Sequence, residues 1–213
     1  LLGNAFKLII RDWQGDKAET IAQLESIKVN GMANYFGSQR FGNDGQNVNK
    51  ALGMFAGDKV GREQRSLYLS AARSYLFNQI LACRVTQKIW DQAIAGDTYQ
   101  FDLSNGFFKS EVPDAQIIRR VKEKDIHPTG SLWGKGELDV SADTLSLEQA
   151  VIEKNRELAE GLMAYAVEKD RRALRVNVQD LQWNFVNEDI LELTFFLPAG
   201  SYATSVLREI IKE

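Results

Sequence analysis

Cysteine, histidine and proline are scarce in this sequence of 213 residues, which holds one Cys, one His and three Pro. Cys83 therefore has no partner for an intrachain disulfide. It lies in the helical run Leu76-Phe77-Asn78-Gln79-Ile80-Leu81-Ala82-Cys83, where a small buried apolar role is expected. A lone thiol fits a reduced, cytoplasmic protein. A single histidine, His127, excludes a multi-histidine metal site, and its expected task is to order the loop before Trp133. No apolar run is long enough to span a bilayer, and no basic segment followed by an apolar one opens the chain. A strong charge of one sign is missing too. The net charge is −3 and the pI about 5.4, so any nucleic-acid function needs a local basic face. Gly57-Asp58-Lys59-Val60-Gly61 lacks the spacing and the Lys-Ser/Thr ending of a phosphate loop. Asn43-Asp44-Gly45-Gln46-Asn47 lacks the carboxylates of a calcium loop.

What is present is ordinary globular material: 44% hydrophobic and 26% charged residues, a composition that folds. Phe6, Leu8 and Ile10 alternate with Lys7, Ile9 and Arg11, which predicts a half-buried strand. Asp16, with Glu19 three residues on, predicts a capped helix start, and Gly31 its end. Residues 34–42 read as strand and turn, Asn43-Asp44-Gly45 as a turn, and Val48 to Phe55 as a short helix. The polar stretch Asp58 to Arg65 reads as a boundary. A long helix carries Leu69, Ala72, Leu76, Ile80 and Cys83 on one face. Two short strands near Thr98-Tyr99-Gln100-Phe101 and Phe107-Phe108-Lys109-Ser110 flank a Ser104-Asn105-Gly106 turn. Pro113 opens a helix. His127-Pro128-Thr129-Gly130-Ser131-Leu132-Trp133-Gly134 reads as a loop by composition, and Leu147, Val151 and Leu158 as one further helix. Strands return from Arg171 to Leu197, and a helix from Ser201 to Lys212 closes the chain. The predicted class is α+β, with one domain interrupted by another. Residues 1–60 and 175–213 form an outer sheet domain, and residues 61–174 a mixed, helix-rich insertion.

The densest chemistry lies in Asn34-Tyr35-Phe36-Gly37-Ser38-Gln39-Arg40-Phe41-Gly42. Aromatic faces stack on a nucleobase, Asn and Gln read its edge, Arg meets an anion, and Gly lets backbone come close. Alone, the run equally describes a strand with a tight turn and buried aromatics. Near the C-terminus, Leu197-Pro198-Ala199-Gly200-Ser201-Tyr202 reads as strand end, turn and Ser201-capped helix start. Such a helix N-terminus offers free backbone donors to an anion; a plain strand-to-helix connection is the other reading. The basic runs Arg171-Arg172 with Arg175, and Arg119-Arg120 with Lys122 and Lys124, are solvated faces or RNA-backbone contacts.

Three runs in the same order resemble the TruD family of tRNA pseudouridine synthases: Asn34 to Gly42, Ser70-Ala71-Ala72-Arg73-Ser74-Tyr75-Leu76-Phe77-Asn78, and Leu197 to Glu209. The segment His127 to Gly134 is similar to part of that family's insertion. The resemblance implies a pseudouridine-synthase-type catalytic sheet with a family-specific insertion. It implies isomerisation of the uridine at position 13, in the D-arm of tRNA, with no metal or organic cofactor, no membrane, and tRNA as partner. Asn34 matches a residue that contacts the target nucleotide. Phe36 and Tyr202 match aromatics at the base, and Gln39, Arg40 and Arg208 are expected to support the pocket. The family's nucleophilic Asp lies several dozen residues upstream, in a Gly-x-Lys-Asp motif. No such motif occurs here, and only 33 residues precede Asn34. The expectation is thus an enzyme without its N-terminal part, the nucleophile lying upstream of Leu1, and a chain that binds without isomerising. The alternative is a non-catalytic RNA-binding or scaffold protein that keeps the fold.

Overall fold

The computed structural model describes residues 3–211. In chain order its helices and strands are β1 (Gly3–Ile10), α1 (Lys17–Asn30), β2 (Met32–Ala33), α2 (Gln46–Phe55), α3 (Arg62–Thr86), β3 (Thr98–Phe101), β4 (Phe107–Lys109), α4 (Ala115–Lys122), β5 (Ile126–Leu132), α5 (Ala142–Lys154), α6 (Arg156–Ala164), β6 (Asp170–Ala173), β7 (Arg175–Val176), β8 (Gln179–Phe185), β9 (Leu191–Pro198) and α7 (Ala203–Ile210). The chain is a mixed helix-and-sheet protein of two compact units. One is split, with residues up to Asn34 joined by those from Arg175 onward; the other is continuous, Tyr35–Leu174.

In the split unit, β1 and β8 flank β9 in an antiparallel sheet. Along β9 the period of two buries Leu191, Leu193, Phe195 and Leu197 on one face, as a strand covered on that side requires. Leu24 and Ile27 of α1 and Val206 and Ile210 of α7 join these residues in one core. The α1 ends follow local chemistry. The Glu19 N–H donates to Asp16 Oδ1 at 2.8 Å, and Gly31, at φ 74°, sends its N–H back to the Ile27 carbonyl. Positive φ at that point favours Gly. Beyond Gly31, β2 pairs antiparallel with β7, Met32 opposite Val176 and Ala33 opposite Arg175.

The continuous unit is built on α3, whose Tyr68, Ala72 and Leu76 share a core with Ala51 and Met54 of α2 and Leu158, Ala159 and Leu162 of α6. Beside it stands a four-stranded antiparallel sheet in the order β4-β3-β5-β6.

Several expectations change. The segment His127 to Gly134 is not a loop: Ile126–Leu132 is an inner strand, buried along nearly its whole length. Pro128, which has no N–H, contributes its carbonyl, which accepts from the Leu174 N–H at 2.8 Å. At Gly130 a side chain is absent because space is: a Cβ there would lie 3.0 Å from Leu174 and 3.1 Å from Phe77. Residues 34–42 form no strand; an irregular segment leads into a 3-10 turn at Ser38–Phe41. The polar stretch 58–65 joins α2 to α3, which pack on each other, and the compact units change over at Asn34–Tyr35 instead. The single helix expected through Leu147 and Leu158 is two, α5 and α6, parted at Asn155, whose φ and ψ are −124° and 37°. The cap of α7 falls on Tyr202, not Ser201, and Lys212 lies outside the described residues.

Candidate functional site

The Asn34 to Gly42 run is not a strand, so its backbone groups are satisfied outside a regular sheet ladder. Asn78, on α3, does this for Phe36. The Phe36 N–H donates to Asn78 Oδ1 at 2.9 Å, and Asn78 Nδ2 donates to the Phe36 carbonyl at 3.0 Å. One carboxamide thus stands in for the two bonds of a strand neighbour. The Phe36 ring meets Phe77 edge-on, centroids 5.5 Å apart at 82°, a favoured arrangement of two ring quadrupoles. The Arg172 guanidinium lies 4.2 Å from the Phe36 ring centroid and that of Arg40 5.4 Å, both within cation–π reach. Arg40 Nη1 donates to Ser70 Oγ at 2.8 Å. Ser70 and Phe77 are seven apart on α3, two turns along one face, with Asn78 beside them. Four residues before Phe77, Arg73 Nη2 donates to the Glu168 carbonyl at 2.6 Å. Burial lowers the Arg73 pKa against a smaller raising effect of Asp170.

Arg40, Arg73 and Arg172 make a locally cationic neighbourhood in a chain of net negative charge, the kind of face that binding a phosphate backbone demands. Phe36 itself is only 9% exposed. As placed, its ring is a wall element shared with Phe77 and two guanidinium groups, not an open platform.

The other sequence-predicted residues are distributed as follows. Asn34 is buried at 7% exposure, directly after β2 in the split unit. Tyr202 is half-buried at the N-cap of α7, and Arg208 is exposed on the same helix. Gln39 is exposed in the 3-10 turn, where Arg40 is half-buried. Within the continuous unit, Phe36 and Arg40 are brought to one face of α3.

Sequence reasoning missed that Asn78, Ser70 and Arg172 gather around Phe36 and Arg40. The signals were the Ser70 to Asn78 run and the Arg171-Arg172 pair, whose spacing gave no hint of what they hold. Three other readings change. Arg171 is not solvated: it is buried, with Nη2 2.6 Å from Glu148 Oε1 and Nε donating to Thr129 Oγ1 at 2.7 Å. Arg175 is buried too. His127, in β5, is buried with Nε2 2.9 Å from Asp102 Oδ1, so it serves a strand and not a loop. Cys83 is half-buried and accepts a hydrogen bond from Gln87 Nε2. Among the described residues, no group of three or more His, Cys, Asp or Glu is placed to hold a metal ion, and no helix is long and apolar enough to cross a membrane.

The fold is a mixed α/β architecture already seen in a Methanosarcina mazei protein whose crystal structure carries the name tRNA pseudouridine synthase D (TruD). The TM-score is 0.73 at 22% identity, over 100% of this chain and 69% of that one. The family profile described as tRNA pseudouridine synthase D (TruD) matches residues 1–55 and 43–210. This chain belongs to the TruD family. Among curated relatives, the tRNA pseudouridine synthase D of Methylococcus capsulatus is 45% identical over 100% of this chain and 60% of its own length. That of Hydrogenovibrio crunogenus is 44% identical over 100% of this chain and 62% of its own. The chain thus spans about three-fifths of the length of these relatives.

Proposed function

We propose that the protein carrying these residues is a tRNA pseudouridine synthase. It converts the uridine at position 13, in the D-arm of tRNA, into its C5-glycoside isomer. The observation that carries this is family membership across nearly the whole chain, with relatives named for that activity at 45% and 44% identity. The cationic, aromatic neighbourhood of Phe36 supports it, because a flipped uridine brings both a π-face and flanking phosphates.

In this reading, the split unit, residues up to Asn34 with those from Arg175 onward, belongs to the catalytic sheet domain, and the continuous unit holds the insertion. The pairing of β1 with β9, from opposite ends of the chain, supports that plan. Asn34 fixes the nucleotide, Phe36 and Tyr202 hold the uracil, and Gln39, Arg40 and Arg208 support them. Because the Phe36 ring already has Arg172 near it, the base either joins that guanidinium in a stack or displaces it. An Asp in a Gly-x-Lys-Asp motif, outside these 213 residues, starts cleavage of the C1′–N1 bond. The uracil turns while held, C5 bonds to C1′, and the C5 proton leaves. The cytoplasm is the proposed location.

The test is tritium release from tRNA carrying C5-labelled uridine. The full-length protein is expected to release it. The 213-residue chain alone is not, because covalent or base catalysis vanishes with its carboxylate. Release by the short chain would mean the nucleophile has been misplaced. Binding without release by the full-length protein would favour a scaffold that keeps the fold.

A further inference from the structure

We infer that Asn78 is a positioning residue for Phe36, acting on the reaction only through the place it gives that ring. The inference rests on the pseudouridine-synthase reading above. It starts from the Ser70 to Asn78 run, to which that function assigns no task. Phe36 sits in an irregular segment, so no sheet or helix fixes its φ and ψ. Its N–H and its carbonyl are both hydrogen-bonded by the Asn78 side chain. These two bonds hold one peptide plane on each side of the Cα, which sets the direction of the Cα–Cβ bond and so of the ring. Phe77, the preceding residue on α3, then meets that ring edge-on, and Ser70, two turns earlier, holds Arg40. Helix α3 runs from Arg62 to Thr86 with Leu76, Phe77, Ile80 and Leu81 wholly buried. A rigid, well-packed element thereby imposes its geometry on a loop that has none of its own.

Only Asn satisfies both bonds at this length. Asp keeps an acceptor for the N–H but turns a second oxygen toward the carbonyl; Ala offers neither group. Displacing a group that holds a substrate by about 1 Å can cost on the order of 10²-fold in rate. The expected signature is therefore a loss in kcat with the KM for tRNA unchanged.

The experiment uses the full-length protein with Asn78→Ala, Asn78→Asp, Phe36→Leu and the double variant Asn78→Ala/Phe36→Leu. Melting temperatures establish which variants are folded. A fluorine label on the ring of residue 36, with a control label at Phe185, reports ring placement without any need for turnover. The result expected is a shifted or broadened signal at position 36 in Asn78→Ala and Asn78→Asp, with Phe185 unchanged. The kcat loss in Asn78→Ala should be of order 10- to 100-fold, with little further loss when Asn78→Ala is added to Phe36→Leu. An unmoved fluorine signal in a folded variant overturns the inference. So does an equal kcat loss from Asn78→Ala in both backgrounds. If the unmodified full-length protein forms no pseudouridine, the function reading falls instead, and the fluorine signal still decides whether Asn78 holds Phe36.

Discussion

Tyr99 is fully enclosed in β3, and its hydroxyl has no hydrogen-bond partner among the described residues. A buried unpaired hydroxyl costs free energy that its ring does not. Burial pushes its pKa above the usual phenol range; Asp97 adds to this and Arg84 opposes it. In the unfolded chain the phenol ionises near about 10. Above that pH the unfolded state binds fewer protons than the folded one, so stability falls as pH rises and is unaffected below it. Tyr99→Phe is expected to raise stability by about 1 kcal/mol at neutral pH and to flatten the alkaline loss. Urea midpoints at pH 8 and at about one unit above the free phenol value check both. At Tyr202 the same pair of groups has the opposite weight. On its proposed role the ring contributes and the hydroxyl does not. Tyr202→Phe should keep kcat/KM in the full-length enzyme, while Tyr202→Ala should lose about 1–3 kcal/mol of base stacking, read from single-turnover kinetics.

Elements here are held in two different ways. Helix α1 is specified by its own ends, Asp16 and Gly31, and was legible in the sequence for that reason. Strand β5 was not. Pro and Gly are signals for a loop, and only contacts distant in sequence, Gly130 against Phe77 and Leu174, make them fit a strand. The site divides likewise. Asn34, Phe36 and Tyr202 were singled out through the resemblance of their runs to a family, whereas Asn78 reaches Phe36 across 42 positions, a separation no local pattern reports. Gly130→Ala should therefore destabilise by about 1–3 kcal/mol through overpacking, measured by chemical denaturation, although Ala suits a strand no worse than Gly. Helix α5 is linked to the sheet through Glu148, which pairs with Arg171 and accepts from the Ser131 N–H. Removing Glu148 by Glu148→Ala leaves Arg171 buried without its carboxylate, at an expected cost of about 3–5 kcal/mol. Restoring the native urea midpoint would require the carboxylate, not merely a side chain of similar bulk.

At the scale of the whole molecule, the continuous unit carries its own cores, one between α2, α3 and α6 and one around Tyr99, Val121 and Ile126. A unit with an internal core folds without help from its neighbours in the chain. Tyr35–Leu174 expressed alone is expected to melt cooperatively, which thermal circular dichroism will show; a gradual, featureless melt would contradict it. The pairing of β2 with β7 bears on how such a unit is accommodated. Ala33 and Arg175 are direct partners, so the chain leaves the split unit and returns to it at adjacent positions, as at the mouth of a hairpin. To that ladder, everything from Tyr35 to Leu174 is one loop. The entropy of closing a loop grows only as the logarithm of its length, about 0.6 kcal/mol per doubling. Evolution can thus lengthen, shorten or rebuild this excursion while scarcely disturbing the sheet that launches it.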